Sequence, residues 1–261
     1  LKDRSVSAME MEQRVMENLG LEAFTAATQV YPRKQDYRVG TALSSLACTL
    51  YKFFIDFRLL QSPPIGEWSE PFGAKQVGSS AMPFKRNPIN SEKIDSLCRY
   101  ISAQSEVLWQ NAASTLLERT LDDSANRRLV LPDMFLAMDE VLLTANKVVR
   151  EMQVHQSGIA RNLEVYGIFA ASERLLMELG RKGANRQEMH ELIREYSLKA
   201  WAEVQEGKPN TLKTMLTEDE TILSYLSKEA ALETLDATQY IGDSALRTRM
   251  VAQEIASLLN R

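Results

Sequence analysis

Thr41-Ala-Leu-Ser-Ser-Leu-Ala-Cys-Thr-Leu-Tyr-Lys-Phe-Phe-Ile-Asp-Phe-Arg-Leu-Leu-Gln61 carries a helical apolar repeat from end to end. Leu43, Leu46, Ala47, Leu50, Phe54, Phe57 and Leu60 recur at helical spacing, which gathers them on one side of an α-helix. The repeat returns downstream. Ile94, Leu97, Ile101, Leu108, Ala112 and Leu116 mark the buried face of a second long helix, with Asn90 or Ser91 as its cap and Glu92 in its first turn. Pro132 suits the first turn of a third, where Phe135, Met138, Leu142, Ala145, Val149 and Met152 alternate steps of three and four, as in helices packed nearly parallel in a bundle. Eleven Gly and eight Pro in 261 residues are few, and the abundance of Leu, Ala, Glu, Met, Lys and Arg favours helix. The expected fold is all-α with almost no sheet.

Beyond Val154 the helices shorten. One runs near Leu163 to Leu179, ended by Gly180 and Gly183, another from Arg186 to Gln205, and the last from Ala245 to Leu259. The expected organisation is therefore a long-helix bundle over residues 1–153 and a smaller helical domain over 154–261. Ser62-Pro-Pro-Ile-Gly66 breaks the first long helix and opens a loop over 62–90, a length that in compact domains is functional or disordered.

The net charge of -4 comes from acidic and basic residues spread along the chain, with no basic run that would draw nucleic acid. Any anion binding must be local. Cys48 and Cys98 stand singly in helical patterns and read as buried thiols in a reducing compartment. No window is apolar and long enough to span a bilayer, and no leader is visible, so the expected site is the cytoplasm, without membrane association. A first residue of Leu1, already in helix-compatible sequence, predicts that an N-terminal part is missing.

Within the loop, Gly78-Ser-Ser-Ala-Met-Pro-Phe-Lys-Arg-Asn-Pro88 sets Lys85 and Arg86 just ahead of a helix start. There the helix dipole disfavours each cation by roughly 0.3–1 kcal/mol. A plain connector would carry acids. The arrangement makes sense if backbone N–H groups and two cations converge on a bound anion. Removing a proton from carbon beside a carboxylate creates a dianionic intermediate, which needs a base together with preorganised positive charge and donors. Lys85 and Asn87 can supply the latter, and a serine can be the base only if the same field stabilises its alkoxide. This chemistry does not choose between Ser79 and Ser80.

The same stretch resembles the GSSxMPxKxNP signature of the fumarase/aspartase superfamily of β-eliminating lyases. Lys85-Arg86-Asn87 followed by Ser91-Glu92 looks like the adenylosuccinate lyase family rather than fumarases or argininosuccinate lyases. Gln29-Val-Tyr-Pro-Arg-Lys34 and Glu118-Arg-Thr-Leu-Asp-Asp-Ser-Ala-Asn-Arg-Arg128 agree with it in order and spacing. The resemblance implies cleavage of adenylosuccinate to AMP and fumarate, and of the related succinylated imidazole-carboxamide ribotide, without metal or organic cofactor. It implies Ser79 as base, Lys85 and Asn87 as stabilisers, Ser80 and Arg86 lining the loop and Gln29 touching substrate. Lys93, where many relatives have arginine, would meet a substrate carboxylate or phosphate without the bidentate fork. Arg119, Ser124 and Arg128 would hold the nucleotide phosphate. Composition alone favours a blander reading, in which Arg119, Arg127 and Arg128 pair with Glu118, Asp122 and Asp123 on a solvated bundle end.

A β-elimination also needs an acid for the leaving nitrogen. His155 and His190 both read as surface or packing histidines, and the resemblance implies that the acid histidine belongs upstream of the matched region, so this chain alone should be inactive. It further implies a homotetramer whose active sites combine segments of three subunits. Two alternatives stay open: a superfamily member acting on argininosuccinate or another succinylated amine, and a non-catalytic helical assembly module.

Overall fold

The computed structural model describes residues 5–72, 82 and 85–259, and these are mostly helical. The chain divides into two units, residues 1–62 with 68–154, and residues 63–67 with 155–261. The short segment 63–67, which the sequence reading assigns to the loop of the first domain, belongs with the second unit.

The first unit begins with α1 (Ala8–Leu19), closed by a capping box in which Ser7 Oγ accepts from the Glu10 N–H and Glu10 accepts from the Ser7 N–H. It buries no residue. α2 (Lys34–Gln61), α3 (Ile89–Ala113) and α4 (Asp122–Glu151) form an antiparallel bundle. The direction follows from paired contacts at both ends. Gly40 O accepts from Ser105 Oγ (3.1 Å), while Arg58 pairs with Asp95 (2.8 Å) at the far end of the same two helices. Between α3 and α4, Asn111 and Asn126 exchange amide hydrogen bonds of 2.7 and 3.0 Å, and Lys93 meets Glu140 at 2.6 Å. A Cβ on Gly40 would lie 2.5 Å from Leu108 Cδ1, so the glycine allows the close approach of α2 and α3. Phe54, Phe57, Ile94, Ile101, Leu108, Met134 and Val141 are fully buried, and the Phe53 and Phe57 rings meet Trp68 on the strand β1 (Trp68–Ser69), with Phe54 packed edge-on against Phe53. β1 pairs antiparallel with β2 (Gln153–Val154), the one sheet among the described residues.

Three expectations need correction. α4 starts at Asp122, not near Pro132, because the polar segment 122–128 is itself helical. Pro132 sits within the helix, where it removes one backbone hydrogen bond. The core stripe of α4 is Val130, Met134, Met138, Val141, Ala145 and Val148, whereas Phe135, Leu142 and Val149 are exposed beside Leu136 and Leu143. The helix carries two apolar stripes, and periodicity alone does not say which one faces α2 and α3. Leu116 lies past the end of α3 and is exposed.

Cys98 is buried as expected and Cys48 is exposed, against expectation. Burial first, and then the charge of Asp95, push the Cys98 thiol up to about 11. Near neutral pH a thiol reagent is expected to modify one cysteine in the native protein and two after denaturation. Equal, rapid modification of both in the native state would contradict this packing.

In the second unit, α5 (Gln156–Asn162) runs through a π-helical turn, Leu163–Gly167, into α6 (Ile168–Arg181). The helix expected near Leu163 thus starts seven residues earlier, and Asn210 Nδ2 donates to the Val165 carbonyl of the wide turn (2.6 Å). α7 (Arg186–Gln205) is capped by Asn185, and α8 (Leu212–Glu218), α9 (Glu220–Leu223) and α10 (Lys228–Thr234) complete the core around Leu175, Leu179, Leu212, Leu216 and Ile222. Segment 63–67 is held by Arg161 and Asn162, both donating to Ile65 O (2.8 and 3.0 Å). A Cβ on Gly158 would meet Gly66 O at 2.2 Å, so no other residue fits there without a shift. α11 (Ser244–Leu259) buries no residue. No helix of the described residues is long and apolar enough to cross a membrane.

Candidate active site

Residues 85–88, the end of the signature, sit at the junction of α2 and α3. Glu70 organises this junction. Its carboxylate accepts from the Asn90 N–H (3.2 Å) and Nδ2 (2.8 Å) through one oxygen, and from the Ser91 N–H and Oγ (both 2.6 Å) through the other. Gln61, the last residue of α2, accepts from the Glu70 N–H (2.8 Å) and donates to the Arg86 carbonyl (3.2 Å). The Arg86 guanidinium lies over the Phe72 ring, 4.6 Å from its centroid. Both roots of the loop are therefore tied to one another.

This corrects the expectation for the helix start. Neither Asn90 nor Ser91 caps α3 with its own side chain, and the N–H groups of both are taken by Glu70 rather than left for a bound anion. The acid that favours a helix N-terminus comes from 20 residues upstream. Sequence reasoning missed Glu70 because no capping spacing links it to α3.

Lys85, Arg86 and Asn87 are exposed at this end. Ser79 and Ser80 lie outside the described residues. Lys93, in the first turns of α3, is paired with Glu140, whose carboxyl is held below the usual range by hydrogen bonds from Lys93 and Thr144. Asp95, wholly buried one turn from Ser91, is pushed up by burial against the opposing hydrogen bond and charge of Arg58.

The other residues named from the sequence sit at the opposite end of the bundle. Gln29 is exposed ahead of α2, Arg119 is exposed between α3 and α4, and Ser124 and Arg128 lie in the first turns of α4. Among the described residues neither Arg119 nor Arg128 has an ion pair, whereas Arg127 is drawn into a largely buried cluster. Arg33 Nε lies 2.6 Å from Asp123 Oδ2, with side chains 6% and 1% exposed, a close ion pair without the alignment of a hydrogen bond. Arg127 Nε is 3.7 Å from Asp123 and 3.8 Å from Asp36. The Tyr31 hydroxyl donates to Asp36 (2.6 Å) and accepts from Arg127 (3.2 Å), and burial, then that hydrogen bond, raises its pKa. The bland pairing of all three arginines with local acids on a solvated end is not what forms. Arg33 and Asp36 were not singled out from sequence, and Asp123 was named only as a surface partner for the neighbouring arginines, because Arg33 and Asp123 are 90 residues apart.

The 28 residues of α2 separate the two ends by roughly 42 Å at 1.5 Å per residue. One chain thus brings Lys85, Arg86, Asn87 and Lys93 to one end, and Gln29, Arg119, Ser124 and Arg128 to the other. His155 is half-buried at the start of α5, and His190 is exposed on α7, both in the second unit. A cavity of about 650 Å³ in that unit, between Ile159, Leu163, Leu235 and Lys213, is lined by none of the residues named from the signature.

Comparison with known proteins adds the family context. Residues 5–102 match a family model described as "Lyase", and residues 169–251 one described as "Adenylosuccinate lyase C-terminus". The chain is 43% identical over 193 residues to the adenylosuccinate lyase of Schistosoma mansoni, covering 73% of this chain and 40% of that protein. It is 36% identical over 260 residues to the adenylosuccinate lyase of Pyrococcus horikoshii, covering 97% of this chain and 55% of that protein. The chain thus spans about half the length of the curated relatives it matches. In fold it is similar to the 3-carboxy-cis,cis-muconate lactonizing enzyme of Pseudomonas putida, with a TM-score of 0.76, 23% identity and coverage of 92% of this chain and 51% of the other. It is likewise similar in fold to a fumarate lyase of Mesorhizobium sp. BNC1, at a TM-score of 0.76 and 18% identity over 92% of this chain and 51% of that one.

Proposed function

Because the chain belongs to the adenylosuccinate lyase family of the fumarase/aspartase superfamily, we propose that the protein cleaves adenylosuccinate to AMP and fumarate, and the succinylated aminoimidazole carboxamide ribotide in the same way. The observation that carries this reading is Gly78 to Pro88, the intact signature, joining α2 to α3 in a chain 36% identical over 260 residues to an adenylosuccinate lyase.

In this reaction Ser79, as alkoxide, takes the proton from the carbon beside a substrate carboxylate, and the electron pair moves into that carboxylate to give the aci form. Lys85 and Asn87 stabilise the added charge. The pair then returns to form the carbon–carbon double bond, the carbon–nitrogen bond breaks, and an acid protonates the departing nitrogen. We assign that acid to a histidine in the part of the relatives' length that this chain does not span. No metal or organic cofactor is needed. Gln29, Ser80, Arg86 and Lys93 contact the substrate, while Arg119, Ser124 and Arg128 hold the phosphate.

The separation of these groups by the length of α2 supports a site assembled between subunits. The second apolar stripe of α4, with Phe135, Leu136, Leu142, Leu143 and Val149 exposed, supports burial of that helix in a homotetramer.

The test is a product assay on the protein's full polypeptide. Adenylosuccinate is expected to yield fumarate and AMP in equal amounts; absence of both products would end this reading. In the same assay Lys85→Met is expected to lower kcat by roughly 10²–10³-fold with KM changed far less, because Lys85 meets its full charge partner only in the transition state. Equal effects on binding and turnover would contradict that role.

A further inference from the structure

We propose that Arg33 is a positioning residue for the phosphate end of the site, acting through Asp123 on the first turns of α4. The inference rests on the phosphate role proposed above for Ser124 and Arg128. α4 opens with Asp122 and Asp123, two acids on the helix end where a phosphate would be received. An uncompensated Asp123 carboxylate there would repel the ligand and weaken the attraction of the helix dipole. Asp123 is not left uncompensated. Its side chain is 1% exposed, Arg33 lies 2.6 Å away, and Arg127 approaches from the next turn at 3.7 Å. Asp36 and Tyr31 complete the cluster, in which two arginines balance two aspartates.

The geometry also joins three pieces of chain. Tyr31 and Arg33 lie in the segment that follows Gln29, Asp36 is in the first turn of α2, and Asp123 and Arg127 are one turn apart on α4, flanking Ser124 and preceding Arg128. The stacking of Arg33 over the Tyr31 ring, 4.7 Å from its centroid, fixes the segment from the other side. Arg33 thereby spends its charge on Asp123 and its face on the Tyr31 ring. It cancels a local negative charge and holds the Gln29 segment against the helix that presents Ser124 and Arg128.

The test is titration of the full polypeptide with AMP, and separately with adenosine, which lacks the phosphate. Arg33→Met is expected to weaken AMP binding by about tenfold or more, because a buried carboxylate loses its partner, while adenosine binding changes by no more than about twofold. Arg33→Met combined with Asp123→Asn is expected to recover part of the AMP affinity, since the offending charge is gone. Should the single variant fail to fold, the double variant and Tyr31→Phe, which removes only the hydroxyl between Asp36 and Arg127, carry the test. Equal weakening of AMP and adenosine, or unchanged AMP binding in all three variants, overturns the proposal. Wild-type protein that binds AMP yet releases no fumarate from adenylosuccinate would refute the proposed function and leave this inference standing. Wild-type protein that does not bind AMP refutes both.

Discussion

Replacing Ser79 by alanine is expected to reduce turnover of adenylosuccinate by ~10³-fold, within the range for loss of a general base, with the helical content and assembly of the protein unchanged. The size of the effect follows from what the serine must do. A hydroxyl is very weakly acidic, so its use as a base requires that the surrounding cations stabilise the alkoxide. Lys85 is exposed at the root of this loop. Alanine removes the proton acceptor and leaves that positive field in place. Substrate affinity should therefore survive, and the inactive variant should still bind adenylosuccinate. A Ser79→Ala protein that keeps more than a few per cent of its turnover would remove Ser79 from the mechanism, and Ser80→Ala would then be the next variant to measure.

The second large effect is expected at Glu70, a residue without chemistry of its own. Glu70→Ala takes away all four hydrogen bonds at the start of α3 and leaves the Ser91 hydroxyl buried without its acceptor. Loss of a helix cap together with a buried unsatisfied group is expected to cost about 2–4 kcal/mol of stability, read from denaturant unfolding. Because the Glu70 carboxylate seats Asn90 and Ser91, a few residues after Lys85 and Asn87, turnover should also fall, through misplacement of those two side chains. Glu70→Gln keeps an acceptor and should recover most of the stability with less of the activity. Wild-type stability in Glu70→Ala would mean that the cap contributes nothing.

What was legible in the sequence was whatever depends on neighbours along the chain. The repeat from Leu43 to Leu60 marks α2, and the span from Arg186 to Gln205 coincides with α7, because helical periodicity is a local signal. The signature motif named Lys85 and Asn87 at once. What was not legible depends on residues far apart in sequence. Glu70 caps a helix that starts 19 residues later, and Arg33 meets Asp123 across 90 residues, so neither appears as a spacing. The start of α4 was missed for a related reason. Asp123 and Arg127 look like loop residues until Arg33 and Asp36 are seen beside them. The choice between the two apolar stripes of α4 was likewise made by α2 and α3, not by α4 itself.

The separation of the two groups of site residues is the least local feature of all. It follows from the length of α2, 28 residues, and it turns a list of residues into two half-sites. Neither half is sufficient for the chemistry proposed here. In the proposed reaction Lys85 and Asn87 would stabilise charge near the succinyl group, and Ser124 and Arg128 would bind a phosphate at the other end of the substrate.

The most direct test of the central claim is the ratio of kcat/KM for adenylosuccinate to that for argininosuccinate, followed by fumarate release from the full polypeptide. Both substrates offer the same succinyl group to Ser79 and Lys85, and only the first offers a nucleotide phosphate to Arg119, Ser124 and Arg128. A ratio above about 10³ is predicted, the discrimination attainable when a site is built to pair with a charged group that the competitor lacks. A ratio near one, or turnover of argininosuccinate alone, would contradict it.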